Sequence, residues 1–215
     1  MIDEYKTINA ESKGTYSELR SKFLAFAHPV RTVDEAMSFV EYYQRKYYDA
    51  RHCCWAYMLG AERETFRSND NGEPSGTAGK PILGQINSNE LTDIIILVIR
   101  YFGGVKLGTS GLIGAYKTAA ADAIQNAEIV TRTVDEEYTF DFEYPLMNAV
   151  MKVVRDMDAR IVSQSYDMDC RMTLSIRRSK MDELKEKLLK HYPRSSTNFS
   201  IASATPPSLL LLYVT

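Results

Sequence analysis

Two polar, glycine-rich stretches carry the residue types from which a site could be built. The first, RYFGGVKLGTSGLIGAY at residues 100–116, sets five glycines among Arg100, Lys106, Thr109 and Ser110, directly after an apolar run. A glycine turn that opens a helix leaves backbone N–H groups free, and these, with a cation and two hydroxyls, can hold an anion. The spacing matches neither G-x-x-x-x-G-K-[ST] nor G-x-G-x-x-G. A structural reading stands beside it, in which Gly103 and Gly104 make the turn while Gly108, Gly111 and Gly114 pack the helix against a sheet. The second stretch is SNDNGEPSGTAGKPILGQI at residues 68–86. Asp70, Asn71 and Gly72 are turn formers and Pro74 fixes a bend. Ser75 and Thr77 offer hydroxyls, and Lys80 sits near the start of the next helix. Asp70 and Glu73 could orient a water or a metal, but carboxylates in a turn are ordinarily just solvated, and no metal is expected. Ser75 is outside any G-x-S-x-G elbow, which argues against a hydrolase nucleophile.

A third stretch, YYDARHCCWAY at residues 47–57, joins Arg51 and His52 to Cys53 and Cys54. Adjacent cysteines lack the C-x₂-C spacing of a zinc site, and neither His28 nor His191 supplies ligand spacing. Neighbours on a strand point to opposite faces, so the pair is poorly placed to bridge, and both are expected to be reduced thiols. A Cys–His nucleophile would lack a third orienting group.

These stretches lie in a chain of 215 residues, 45% hydrophobic and 25% charged, with a net charge of −2. Residues 1–134 hold 15 Lys and Arg against 16 Asp and Glu, and residues 135–215 hold 11 against 12. This balance leaves no overall basic footprint, and neither a membrane surface nor DNA sequence readout is expected. Three cysteines, two of them adjacent, do not form a secreted disulfide framework. No signal-peptide core or spanning run is present, which points to the cytoplasm.

The elements that must position the site follow from periodicity and turn signals. SKFLAFAHPV at residues 21–30 reads as a strand ended by His-Pro. Thr32 and Glu35 form a capping box for a helix whose apolar face is Val33, Met37, Val40 and Tyr47. HCCWAYML at residues 52–59 is a strand, with ETFRSND paired to it. LTDIIILVIRYF at residues 91–102 suits a central strand covered on both faces. A helix from Thr109 or Ser110 to about Asn126 packs through Leu112, Ala115, Ala119 and Ala123. From Val134 the rhythm changes: an alternating strand, a helix with Pro145 at its first position and running through Met157, and two strands turning near Asp167–Asp169. A helix from Lys180 to His191 and an extended tail over residues 197–215 complete it. The reading is an α+β protein of two domains, 1–134 and 135–215, the second with the βαββα(β) order of a ferredoxin-like fold.

RSKFLAFAHPV, DARHCCWAY, DNGEPSGTAGKPIL and IRYFGGVKLG…GL…AY occur in the order that resembles the IMPACT family, also called the YigZ or UPF0029 family, over roughly residues 15–126. The resemblance implies a ribosomal protein S5 domain 2-like fold for the first domain and, for the second, a ferredoxin-like domain similar to one in elongation factor G. Cys53 stands where members often carry His or Asn, which argues against a catalytic role there. Gly114 stands where they often carry a basic residue, which removes a cation beside the loop. The family brings no established reaction, and no cofactor is expected. It implies a relation to translational control, and the expectation built on it is a non-enzymatic cytoplasmic regulator that acts through RNA, the ribosome or a protein partner, its surface centred on residues 68–80 and 100–110. An enzyme that binds a phosphorylated small molecule or nucleotide at the glycine loop is the alternative. Arg51, Lys80, Arg100 and Lys106 would supply charge in either case, unless Arg100 is tied to Asp70 or Glu73.

Overall fold

The computed structural model describes residues 2–166 and 170–190, and the chain divides into two compact units, Ile2–Arg132 and one that starts at Thr133. The anticipated turn at Asp167–Asp169 and the tail over residues 197–215 lie outside the described residues.

The first unit is built on a five-stranded antiparallel sheet. Its strands are β2 (Ser12–Glu18), β3 (Ser21–Pro29), β4 (His52–Leu59), β5 (Thr65–Asn69) and β6 (Ile94–Tyr101), in the order β2-β3-β6-β4-β5. A separate ribbon pairs β1 (Glu4–Ile8) with β7 (Ile129–Thr133). The sequence reading had no counterpart for β1, β2 or β7, because their polar, half-exposed patterns carry little apolar alternation. Three helices cover the sheet: α1 (Val33–Lys46) on one face, α2 (Gly79–Ser88) and α3 (Gly108–Gln125) on the other.

Strand β6 explains the two layers. Successive side chains of a strand alternate sides. Ile94, Ile96 and Val98 therefore join the core under α2 and α3, while Ile95, Leu97 and Ile99 join the core under α1. All six are fully buried, as the unbroken apolar run predicts for a central strand. The same alternation puts Arg100 on the α3 side, and the register sets it between Phe23 of β3 and His52 of β4. The sheet itself thus sets one cation between two aromatic rings at one end of an apolar face.

Helix α1 starts at the expected cap: Thr32 Oγ1 accepts the Glu35 N–H at 3.1 Å, while the Glu35 carboxylate reaches one residue past the cap to accept the Arg31 N–H at 2.7 Å. Its buried face, however, is Ala36, Val40 and Tyr43. Val33 is exposed, since the stripe that fits the 3.6-residue period runs 36, 40, 43. Helix α3 begins at Gly108, one residue ahead of the expected start. It buries Leu112, Ala115, Tyr116, Ala119, Ala120, Ala123 and Ile124. Gly14 of β2 is what lets it dock closely, because a Cβ there would run into the Ala123 backbone. Ser12 Oγ adds a hydrogen bond to the Ala123 carbonyl at 2.8 Å. The packing role expected of Gly108, Gly111 and Gly114 is corrected: a Cβ on Gly108 or Gly114 meets nothing, and one on Gly111 meets only Leu107 of its own turn.

The second unit holds β8 (Asp135–Phe142), α4 (Met147–Met157), β9 (Arg160–Tyr166), β10 (Cys170–Arg177) and α5 (Met181–Lys190). Its antiparallel sheet has the order β8-β10-β9. Phe140, Met172 and Leu174 pack against Val150, Val153 and Leu184 of the two helices. Pro145 lies in a 3₁₀ turn, Tyr144–Leu146, ahead of α4 rather than at its first position. No described helix is long and apolar enough to cross a membrane.

Candidate functional site

The loop between β5 and α2 is organised by one carboxylate. Asp70 Oδ1 accepts the N–H groups of Ala78 and Gly79 at 2.9 and 2.8 Å, and Oδ2 accepts that of Gly76 at 2.8 Å. Two of these donors belong to the first turn of α2, so Asp70 caps a helix whose own cap position, Ala78, has no side-chain oxygen. Partial burial pushes the Asp70 pKa up, but the three N–H donors outweigh it and hold the carboxyl below its ordinary value. Thr77 is buried and donates to the Pro74 carbonyl at 2.6 Å. Asp70 and Thr77 therefore shape the loop, and neither lines the cleft that opens beside Glu73.

That loop delivers Glu73 into the end of the α3-side core, where its side chain is 3% exposed. Glu73 Oε1 accepts Arg100 Nη1 at 2.5 Å and the Tyr116 hydroxyl at 2.9 Å. Cys54 Sγ donates to the Asp70 carbonyl at 3.0 Å and lies 3.3 Å from the Tyr116 hydroxyl. Burial, with the neighbouring Cys54 and Glu73, drives the Tyr116 pKa far up and keeps the phenol neutral. Burial likewise raises both thiols, Cys53 to about 12. The three described cysteines are free and buried. The Arg100 guanidinium lies over the rings of Phe23 and Phe102, and its Nε is buried without a hydrogen-bond partner.

Beside this network opens a cleft of about 590 Å³. Arg51, His52, Glu73, Arg100, Lys106 and Thr109 line it, together with Phe102 and Leu112. Lys106, Gly108 and Thr109 bring in the start of α3. Gly108, with φ of +73° and open space around its Cα, turns the chain into the helix without crowding the cleft. No side chain caps that helix start, so its first N–H groups keep their donor capacity.

The Impact N-terminal domain family matches residues 19–124, which hold the whole of this cleft. The chain is 32% identical over 171 residues to the IMPACT family member YigZ of Escherichia coli, covering 79% of this chain and 84% of that one. It belongs to the IMPACT family. YvyE of Bacillus subtilis, another IMPACT family member, is 31% identical over 156 residues, 73% of this chain and 72% of that one. A crystal structure of a hypothetical protein shares the fold, with a TM-score of 0.70 at 29% identity over 88% of this chain and 93% of that one.

In this IMPACT family member six of the eleven sequence-predicted residues meet at the cleft: Arg51, His52, Glu73, Arg100, Lys106 and Thr109. Ser75, Lys80 and Ser110 are exposed and do not line it. Arg100 is tied to Glu73, one of the two partners the sequence left open. Among the described residues no His, Cys, Asp and Glu cluster could hold a metal ion. Sequence reasoning missed Phe102 and Tyr116. A hydroxylated aromatic inside an alanine-rich helix face was the available signal for Tyr116, and an aromatic directly before a double glycine was that for Phe102.

Proposed function

We propose that this IMPACT family member is a cytoplasmic regulator linked to translation that binds single-stranded RNA in the cleft between the β5–α2 loop and the start of α3. The observation that carries the reading is one cleft that joins Arg51, Arg100, Lys106 and an uncapped helix start to Phe102, 47% exposed. Cations and helix N–H groups suit phosphate, and an exposed aromatic ring suits a stacked base. The balanced overall charge is no obstacle to a site that gathers its cations locally. Three buried free cysteines are in keeping with a reducing compartment. The link to translation comes from the family resemblance. An S5 domain 2-like fold for Ile2–Arg132 is part of the same proposal, and the β8-β10-β9 order with two covering helices supports a ferredoxin-like second domain.

Anisotropy of a labelled short RNA, titrated at several salt concentrations, tests the reading. Lys106→Ala should weaken binding by about 1–3 kcal/mol, lower the salt slope by about one, and leave the melting temperature unchanged. Binding that ignores both salt and Lys106 would refute it. The cleft volume also lies within the range of small-molecule sites, which favours a phosphorylated metabolite as the second reading. Competition by mononucleotides in the same assay separates the two.

A further inference from the structure

We propose that His52 is a general base and that the cleft cleaves the RNA strand it holds, by attack of a ribose 2′-hydroxyl on the adjacent phosphate. The proposal rests on the RNA reading above. It begins from the orientation of one imidazole. His52 Nδ1 lies 2.8 Å from the Asn71 carbonyl oxygen. A carbonyl only accepts, so Nδ1 carries the proton and Nε2 of the neutral ring carries the lone pair.

The surroundings hold that ring in place. Asn71 sits in the left-handed region with φ of +41°, and its own N–H donates to Asn69 Oδ1 at 2.7 Å. A Cβ on Gly72 would come to 3.3 Å from His52 Nδ1, so glycine there leaves the imidazole its space. The His52 side chain is 13% exposed and lines the cleft. Nε2 is 3.8 Å from Glu73 Oε1, too long for a hydrogen bond but close enough for the carboxylate to stabilise an imidazolium as it forms. Glu73 is already engaged by Arg100 and Tyr116, which suits it to position and not to act as the base.

The charged and titratable groups around His52 are Glu73 from the loop, Arg100 opposite it on β6, Arg51 beside it in sequence, and Lys106 in the same cleft lining. The Cys54 thiol is turned away to Asp70 and Tyr116. The second observation is that the cleft lining joins Arg51 and Lys106 to the Glu73-bound Arg100 and to the uncapped start of an 18-residue helix. Positive groups lining a phosphate site stabilise the extra charge of a five-coordinate transition state.

The step balances within the substrate. His52 Nε2 takes the proton of the 2′-hydroxyl, and the 2′-oxygen forms a bond to phosphorus. The bond from phosphorus to the 5′-oxygen breaks, and that oxygen takes a proton from the Lys106 ammonium. His52 then returns its proton to solvent and Lys106 regains one. The products are a 2′,3′-cyclic phosphate end and a 5′-hydroxyl end, with no oxidant or co-reactant.

The test uses the full chain with a fluorescent RNA and a DNA of the same sequence. Binding is followed by anisotropy, and cleavage by denaturing gel and product mass at saturating protein. The expected result is cleavage of RNA alone and a cyclic phosphate on the product. His52→Ala, purified in parallel and shown folded by its tryptophan fluorescence, should cleave about a hundredfold more slowly or worse, with partial rescue by added imidazole. RNA that is bound but never cut overturns the cleavage proposal and leaves the binding reading standing. RNA that is not bound at all overturns both. Cleavage at the wild-type rate by His52→Ala overturns the role of His52.

Discussion

Replacing Glu73 with Leu should destabilise the first unit more than any other single change at the cleft. The Glu73 and Arg100 side chains are 3% and 6% exposed, and among the described residues their 2.5 Å bond is the only ion pair that answers the guanidinium charge. With Glu73 gone, Arg100 keeps a buried charge without a counter-charge, and Tyr116 loses the acceptor at 2.9 Å. Breaking a buried ion pair from one side costs about 3–5 kcal/mol. Removing Arg100 as well takes the orphaned charge away. Glu73→Leu with Arg100→Met should therefore recover most of the loss, because apolar replacement of a whole buried pair is often neutral. Urea titration at pH 7 followed by tryptophan fluorescence reads this unit alone. Trp55 is the sole tryptophan, buried in the α1-side core. A Glu73→Leu midpoint within about 1 kcal/mol of wild type, or a double variant as unstable as the sum of the singles, would refute the reasoning.

Three further outcomes are expected. Asp70→Asn should lower stability at pH 7. The folded carboxyl titrates below its ordinary 3.8, so its contribution is complete above that value and is lost as pH falls through the lower folded value. Urea midpoints of the two proteins should therefore converge in strong acid. Gly14→Ala should cost about 1–3 kcal/mol by forcing α3 off β2, whereas Gly114→Ala, with open space around it, should gain a few tenths to about 1 kcal/mol; thermal melts decide both. A thiol reagent at neutral pH should leave Cys53 and Cys54 unmodified in the folded protein and modify both in urea, as burial holds each in the thiol form.

The parts of this molecule legible in the sequence were those dictated by local pattern. The unbroken run in β6 announced a central strand, and the alanine spacing of α3 announced its packing face. Capping of α1 was visible in Thr32 and Glu35. The candidate site was legible as a set of residue types in two stretches, but its sorting was not. Ser75 and Ser110 resemble Thr109 chemically, and only strand register and loop geometry turn Thr109 into the cleft and leave the serines outside. Asp70 and Glu73 are equally close in type and three residues apart. One is consumed by backbone donors and the other by a cation 27 positions away. The glycines misled for a related reason. The close helix–sheet contact depends on Gly14, far from the cluster, which became visible only when β2 lay beneath α3.

The order in which contacts span the chain sets when the cleft can exist during synthesis. The Asp70 bonds close loops of no more than nine residues and can form as soon as Gly79 has emerged. Glu73 must then wait for Arg100, and both must wait for Tyr116, 43 positions after Glu73. The docking contact from Ser12 to Ala123 spans 111 positions and closes after both. A growing chain shorter than α3 carries every cation of the cleft but no wall to hold them together. Binding of the proposed ligand would therefore report completion of the first unit, and a ligand that binds only the finished cleft would pull late folding forward by mass action.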